Sequence, residues 1–144
     1  EQALPLYEQA REVYESSLQP EDNRLAGLYN NMALAMVDLK RYQDANVLYR
    51  KAIAILERTD SGAPDIAITC LNMANAAEAE QGFAAAEPFI AECLMRAKQL
   101  LETYPKQDGY YAFVCEKCAS VYGYYGQTAY AKELLARSER IYGQ

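Results

Sequence analysis

The strongest constraint on the fold of this chain is a short motif that recurs three times. It reads Asn-Asn-Met-Ala at 30–33, Leu-Asn-Met-Ala at 71–74 and Glu-Lys-Cys-Ala at 116–119. The alanines that close the copies are 41 and 45 residues apart, at positions 33, 74 and 119. A chain that repeats at such a period folds as stacked copies of one supersecondary unit, and its surface serves recognition more often than catalysis.

Each copy of the motif lies in a segment with helical spacing of its apolar residues. Between positions 27 and 55 these residues recur every three or four positions, which predicts one helix on each side of Lys40 and Arg41. The other units carry the same pattern. The sequence therefore predicts an all-α fold of seven antiparallel helices, at about 2–18, 24–39, 42–58, 65–80, 84–103, 108–124 and 128–142.

Small side chains recur at three fixed positions of each unit, counted from Ala26, Ala67 and Ala112. Packed helices approach to roughly 8–10 Å, and small residues at the crossing allow that approach. The positions are 8 (Ala33, Ala74, Ala119), 20 (Ala45, Ala86, Ala131) and 27 (Ala52, Cys93, Ser138).

The chain opens with half of a unit. Tyr7 and Ala10 match Tyr49 and Ala52 at an offset of 42 residues, so the first helix corresponds to the second helix of a unit. We therefore expect one repeat domain over 1–144, with a half repeat at 1–20 and repeats at about 24–60, 65–104 and 108–142. Because the first residue is glutamate rather than methionine, we also expect the segment to come from a longer protein.

The pattern of small residues at positions 8, 20 and 27, with larger residues between them, resembles the tetratricopeptide repeat. The period exceeds the usual length of about 34 residues. Together with the asparagine motif and the Pro-Leu-Tyr sequence at 5–7, it is similar to the longer repeats of kinesin light chains. The resemblance implies a right-handed superhelix (an α-solenoid), with the first helix of each unit lining a concave groove, and a role in protein–protein interaction.

In that arrangement, positions 2, 5, 6, 9, 12 and 13 of each first helix should face the groove. Asparagine is a poor helix former, so its presence there needs a reason. A carboxamide can both donate to and accept from the backbone of an extended peptide. We predict that a peptide or a partner helix is bound by Asn30, Asn31, Leu34, Leu71, Asn72, Asn75, Phe113, Lys117 and Tyr124.

Two interpretations of the asparagines remain open. Asn31 and Asn72 suit either peptide binding or hydrogen bonds to the neighbouring repeat, whereas Asn30 and Asn75 are expected to favour the groove. Most of the thirteen tyrosines are expected to pack around the repeats, with Tyr124 facing the groove.

The four cysteines all occupy positions where the repeat requires a small or medium apolar residue. Cys70 and Cys115 share position 4, Cys118 is at position 7 and Cys93 at position 27. We therefore expect free thiols in the core rather than a metal site, and a reducing cytoplasm. The sequence predicts neither a metal nor a cofactor.

Charge and composition exclude several functions. The formal net charge is −6, with no basic stripe, which argues against nucleic acid and anionic membranes as partners. The chain lacks histidine and a phosphate-binding glycine loop, so we expect no enzyme. A basic clamp for a terminal carboxylate is disfavoured, because Lys117 is the one cation predicted in the groove. The alternative function is a structural spacer or an array that self-associates through its terminal helices.

Overall fold

The computed structural model describes residues 3–19 and 22–143. Within these residues the protein consists of helices and connecting turns, without a β-strand. Each predicted end that falls on a described residue agrees to within two residues; the predicted start at residue 2 lies outside the described residues. The seven helices are α1 (Ala3–Ser17), α2 (Asn23–Asp38), α3 (Tyr42–Leu56), α4 (Ala63–Gln81), α5 (Phe83–Thr103), α6 (Gly109–Tyr124) and α7 (Thr128–Tyr142).

The helices pack as three hairpins with one additional helix in front. The hairpins are α2–α3, α4–α5 and α6–α7, and α1 packs against α2. Successive hairpins are joined through α3 against α4, and through the first helices α2, α4 and α6 lying side by side. The predicted all-α solenoid is confirmed.

The nine small residues of the repeat pattern are all buried. Ala33, Ala52 and Ala74 are completely inaccessible to solvent, and the most exposed of the nine, Ala131, retains 8% of its surface. Since no side chain extends beyond the β-carbon at the alanine positions, the two helices of a hairpin can approach closely. Larger apolar residues fill the space between these contacts, and they include Tyr49 and Met32.

The turns within two of the hairpins are closed by one hydrogen-bonding pattern. After α2, the amide of Arg41 donates to the carbonyl of Met36 and that of Lys40 donates to Val37. After α6, the amides of Gln127 and Gly126 donate to Tyr122 and Gly123 in the same way. This Schellman motif needs a left-handed residue after the helix. Lys40 adopts it at φ 61°, and Gly126 at φ 85°.

Tyrosine side chains join α5 and α6, whose backbones approach less closely than those of α3 and α4. The hydroxyl of Tyr111 donates to the carbonyl of Leu101 at 2.8 Å, and that of Tyr122 donates to Leu94 at 2.5 Å. Both tyrosines are fully buried. Burial raises the pKa of Tyr111 to about 12. Tyr111 and Tyr122 therefore link the last hairpin to α5.

Candidate functional site

The exposed side of the first helices forms one continuous surface. We call it the first-helix face and define it by Asn31, Leu34, Asp38, Asn72, Asn75, Glu78, Ala79, Phe113, Glu116, Lys117, Ser120 and Tyr124 on α2, α4 and α6. All twelve are exposed or half-buried. Their helices are neighbours, so residues from three repeats can contact one ligand.

The side chain of Asn30 forms a hydrogen bond to the neighbouring repeat. Its Nδ2 donates to Oγ1 of Thr69 on α4 at 2.9 Å, and the Thr69 hydroxyl in turn donates to the carbonyl of Asp65. Thr69 is fully buried and Asn30 is half-buried. The expectation that Asn30 binds a peptide is therefore not supported, because its carboxamide already has a partner inside the protein.

Leu71 does not belong to the face, and the prediction that it contacts a ligand was wrong. Only 2% of its surface is accessible. Leu71 occupies position 5 of its unit, the same position as Asn30, and this position points toward the next first helix. The position is exposed only at Glu116, in the last repeat that the structure describes.

Asn31 and Asn72 have free carboxamides. Neither side chain makes a hydrogen bond to any residue in the described part of the chain. Asn31 is exposed and Asn72 is half-buried, and they occupy position 6 of adjacent repeats. Because each amide keeps both its donor and its acceptor, the pair is available to a ligand backbone.

A cleft between α4 and α6 contains the densest polar contacts of the face. The hydroxyl of Tyr124 donates to Oε2 of Glu78 at 2.9 Å. The hydroxyl of Tyr125 lies 2.9 Å from both Oε1 of Glu78 and Oδ1 of Asn75, and it can donate its single hydrogen to one of them at a time. The cleft is open to solvent, has a volume of about 510 Å³ and is lined by Asn75, Glu78, Ala79, Ser120, Val121 and Tyr124.

The carboxylate of Glu78 also affects the ionisation of both tyrosines. Its hydrogen bond raises the pKa of Tyr124, whose ring remains exposed to solvent. Burial and then the same carboxylate raise the pKa of Tyr125. Both phenols therefore remain neutral hydrogen-bond donors at neutral pH. The Tyr124 ring meets the Tyr125 ring edge to face, with 4.8 Å between centroids.

The N-terminal half of α6 adds an aromatic patch. Phe113 keeps 44% of its surface accessible, and the Nζ of Lys117 lies 5.5 Å from the centre of its ring. Tyr110 lies beside Phe113 and donates a hydrogen bond to the carboxylate of Asp65 on α4. This end of the face thus combines apolar surface with one cation.

The four thiols are buried and unpaired, as the repeat register predicts. Burial raises the pKa of Cys93 and of Cys118 to about 12. At neutral pH the thiols are therefore protonated and poorly nucleophilic. Within residues 3–19 and 22–143, no group of three or more metal-ligating side chains comes together.

Sequence reasoning missed two residues of this region. Neither Thr69 nor Tyr125 was singled out as a site residue, although the hydroxyl of Tyr125 reaches Glu78. Comparing equivalent positions of adjacent units could have found Thr69, because position 3 of one first helix meets position 5 of the preceding one. No signal in the chain indicated the Tyr125 contact, which depends on how far apart α4 and α6 lie.

A family model described as tetratricopeptide repeat matches residues 1–58, which contain α1, α2 and α3. The same pattern of small residues continues through the later hairpins. Residues 1–58 are therefore similar to tetratricopeptide repeats, and the hairpins that follow have the same helical arrangement. Members of this family generally act as non-catalytic scaffolds or protein-interaction modules.

The remaining comparisons add little to this assignment. A search of curated proteins found no match to the chain. The resemblance to kinesin light chains is not tested by the family match and stays a prediction. None of the helices in the described part of the chain combines the length and apolar character that crossing a bilayer requires.

Proposed function

We propose that this protein is a non-catalytic interaction module that binds an extended peptide or a partner helix on its first-helix face. The observation that carries this proposal is the exposure of large apolar side chains at both ends of the face, one on α2 and two on α6. Leu34 keeps 44% of its surface accessible, Phe113 keeps 44% and Tyr124 keeps 67%. Burying such side chains against a partner contributes about 25 cal/mol for each Å² of apolar surface removed from water.

The free carboxamides support a binding mode that does not depend on the ligand sequence. Asn31 and Asn72 occupy the same position in adjacent repeats and lack partners among the described residues. Each can donate to and accept from one peptide unit of a bound segment. The apolar side chains beside them would then provide selectivity.

The test is a selection of random twelve-residue peptides on immobilised protein. We expect the enriched peptides to bind Asn72→Ala several-fold more weakly than the original protein in fluorescence anisotropy, with the melting temperature nearly unchanged. Asn46→Ala, on the exposed side of α3, is the matched control and should bind normally. If Asn72→Ala lost stability as well as binding, Asn72 would have a structural role instead of a binding role. A selection that enriches no peptide would refute the proposal.

A second candidate function is a structural array that self-associates through α1. Its support is apolar surface on that helix, where Leu6 is 66% exposed and Val13 is 59% exposed. Light scattering over a range of concentrations distinguishes the two. Self-association should rise with concentration and disappear in Leu6→Ser/Val13→Ser, whereas a monomer at high concentration would count against it.

The buried, unpaired thiols fit the reducing compartment predicted from the sequence. We therefore infer a cytoplasmic location for the module, because free cysteines persist there and tend to form disulfides in oxidising compartments.

A further inference from the structure

We propose that the occupant of the first-helix face is a basic protein segment, which stacks an arginine guanidinium on the ring of Tyr124 with its N–H groups directed at the adjacent carboxylate of Glu78. This inference rests on the proposed function and specifies its partner. Three observations support it: the charge of the face, the geometry of the cleft between α4 and α6, and the lack of a cationic partner for Glu78 among the described residues.

The charge of the face is negative. Asp38, Glu78 and Glu116 are exposed or half-buried on it, against the single cation Lys117. Lys117 lies seven residues before Tyr124, about 10 Å along α6, and its Nζ rests on the ring of Phe113. It therefore does not neutralise the cleft, and a partner of opposite charge gains attraction over the whole face.

Glu78 is a half-buried carboxylate without a cation. None of the ion pairs between described residues involves it, and its hydrogen-bond donors are the two phenols. Oε2 accepts from Tyr124, and Oε1 competes with Asn75 for the hydrogen of Tyr125, so each carboxylate oxygen keeps at least one lone pair. The group is thus fixed in orientation and still able to accept from a ligand.

The ring of Tyr124 favours a guanidinium over an ammonium group. Tyr124 presents an exposed face, while its hydroxyl is held by Glu78 and its position is supported by Tyr125. A planar guanidinium can stack on that ring and direct its N–H groups at the adjacent carboxylate, whereas an ammonium has no planar fork. Ser120 and Asn75, which also line the cleft, can accept from the remaining donors.

The experiment starts from the random twelve-residue peptides selected on the immobilised protein. We expect arginine to be enriched among them, and replacement of that arginine by the uncharged citrulline to weaken binding about five- to twentyfold. Glu78→Gln should cause a similar loss, since an amide cannot pair with a cation. Glu139→Gln, an exposed position on α7, is the matched control and should bind normally.

Tyrosine variants separate stacking from hydrogen bonding. Tyr124→Phe keeps the ring and should retain most of the affinity, whereas Tyr124→Ser should lose about as much as the citrulline peptide. Melting temperatures of all variants are measured in parallel, and only losses of binding without a fall in stability support the proposal.

The outcomes distinguish this inference from the proposed function. Enriched peptides without arginine, or peptides that bind Glu78→Gln as well as the original protein, would overturn the arginine site and leave peptide binding intact. A selection that enriches no peptide would overturn both.

Discussion

Asn30 on α2 and Thr69 on α4 join adjacent repeats through a hydrogen bond of 2.9 Å. Asn30 is at position 5 of its unit and Thr69 at position 3 of the next. The same pair of positions in the following repeats holds Leu71 and Val114, both buried. The contact between α2 and α4 is therefore polar at these positions, and the contact between α4 and α6 is apolar. In both, the residue at position 5 packs against the next repeat.

We expect Asn30→Ala to lower the free energy of unfolding by about 1 kcal/mol, because it removes the donor to the buried Thr69 hydroxyl. The matched control is Asn31→Ala, which removes an exposed carboxamide that has no partner among the described residues and should change stability by less than about 0.5 kcal/mol. Urea denaturation measures both. Equal effects of the two substitutions would mean that the hydrogen bond does not stabilise the repeat boundary.

Replacing a buried alanine of the repeat pattern with leucine should destabilise the fold far more than the same change at an exposed alanine. Ala74→Leu adds three carbon atoms at a completely buried crossing, and we expect a loss of about 1–3 kcal/mol through overpacking. Ala54→Leu makes the same change on the exposed side of α3 and should stay within about 0.5 kcal/mol. Thermal melts followed by circular dichroism compare them. A tolerated leucine at position 74 would contradict the close approach of α4 and α5.

Lys40 carries backbone strain that glycine would relieve. It occupies the left-handed position of a Schellman motif at φ 61°, where the third hairpin has Gly126. We expect Lys40→Gly to raise the free energy of unfolding by about 0.5–1 kcal/mol. Arg41→Gly, at φ −96°, should instead be destabilising because it only adds freedom to the unfolded chain. Should both substitutions destabilise equally in urea, strain at Lys40 would be refuted.

Arg137 connects the last hairpin to α5 and makes stability depend on pH. Its guanidinium donates to Glu102 at 2.6 Å and to the Tyr111 hydroxyl at 2.9 Å. The hydrogen bond from Arg137 holds the pKa of Glu102 below its usual 4.5. Because the folded-state pKa is depressed, the stabilisation is complete above about pH 4.5 and is lost as the pH falls through the folded value.

We therefore expect Arg137→Met to lower the melting temperature at pH 7 and to flatten its decline below pH 4.5. Arg140→Met is the control, since Arg140 is largely exposed and makes a single contact of 3.4 Å to Glu133. It should keep the acid-dependent decline. Melting curves between pH 3 and pH 7 measure both variants, and an unchanged slope in Arg137→Met would refute the assignment.

The sequence predicted the helices well, because their determinants are local or repeated. Apolar spacing fixed each helix, and glycine or a charged pair marked each turn within a hairpin. The small residues were predicted to be buried because they recur at the same position of every unit, and Ala33, Ala74 and Ala119 are all buried. Recurrence at the same position of each unit therefore allowed burial to be predicted without knowledge of the contacts.

The site residues were predicted less well, because exposure on a first helix depends on the neighbouring repeat. Asn30 and Leu71 were expected to face a ligand, but position 5 turns toward the next first helix. Tyr111 was not singled out from the sequence, and it is completely inaccessible, with its hydroxyl donating to the carbonyl of Leu101. In each case the deciding contact comes from another unit of the stack.

The sequence alone determined that this protein is a series of helical hairpins, since period, spacing and small residues are properties of one chain segment at a time. The tertiary structure decided which polar groups remain free. Among residues 3–19 and 22–143, Asn31 and Asn72 keep open carboxamides and Glu78 accepts only from phenols. The distances between α2, α4 and α6 fix which of these side chains can reach one another. Those distances result from packing among repeats, which helical periodicity does not encode.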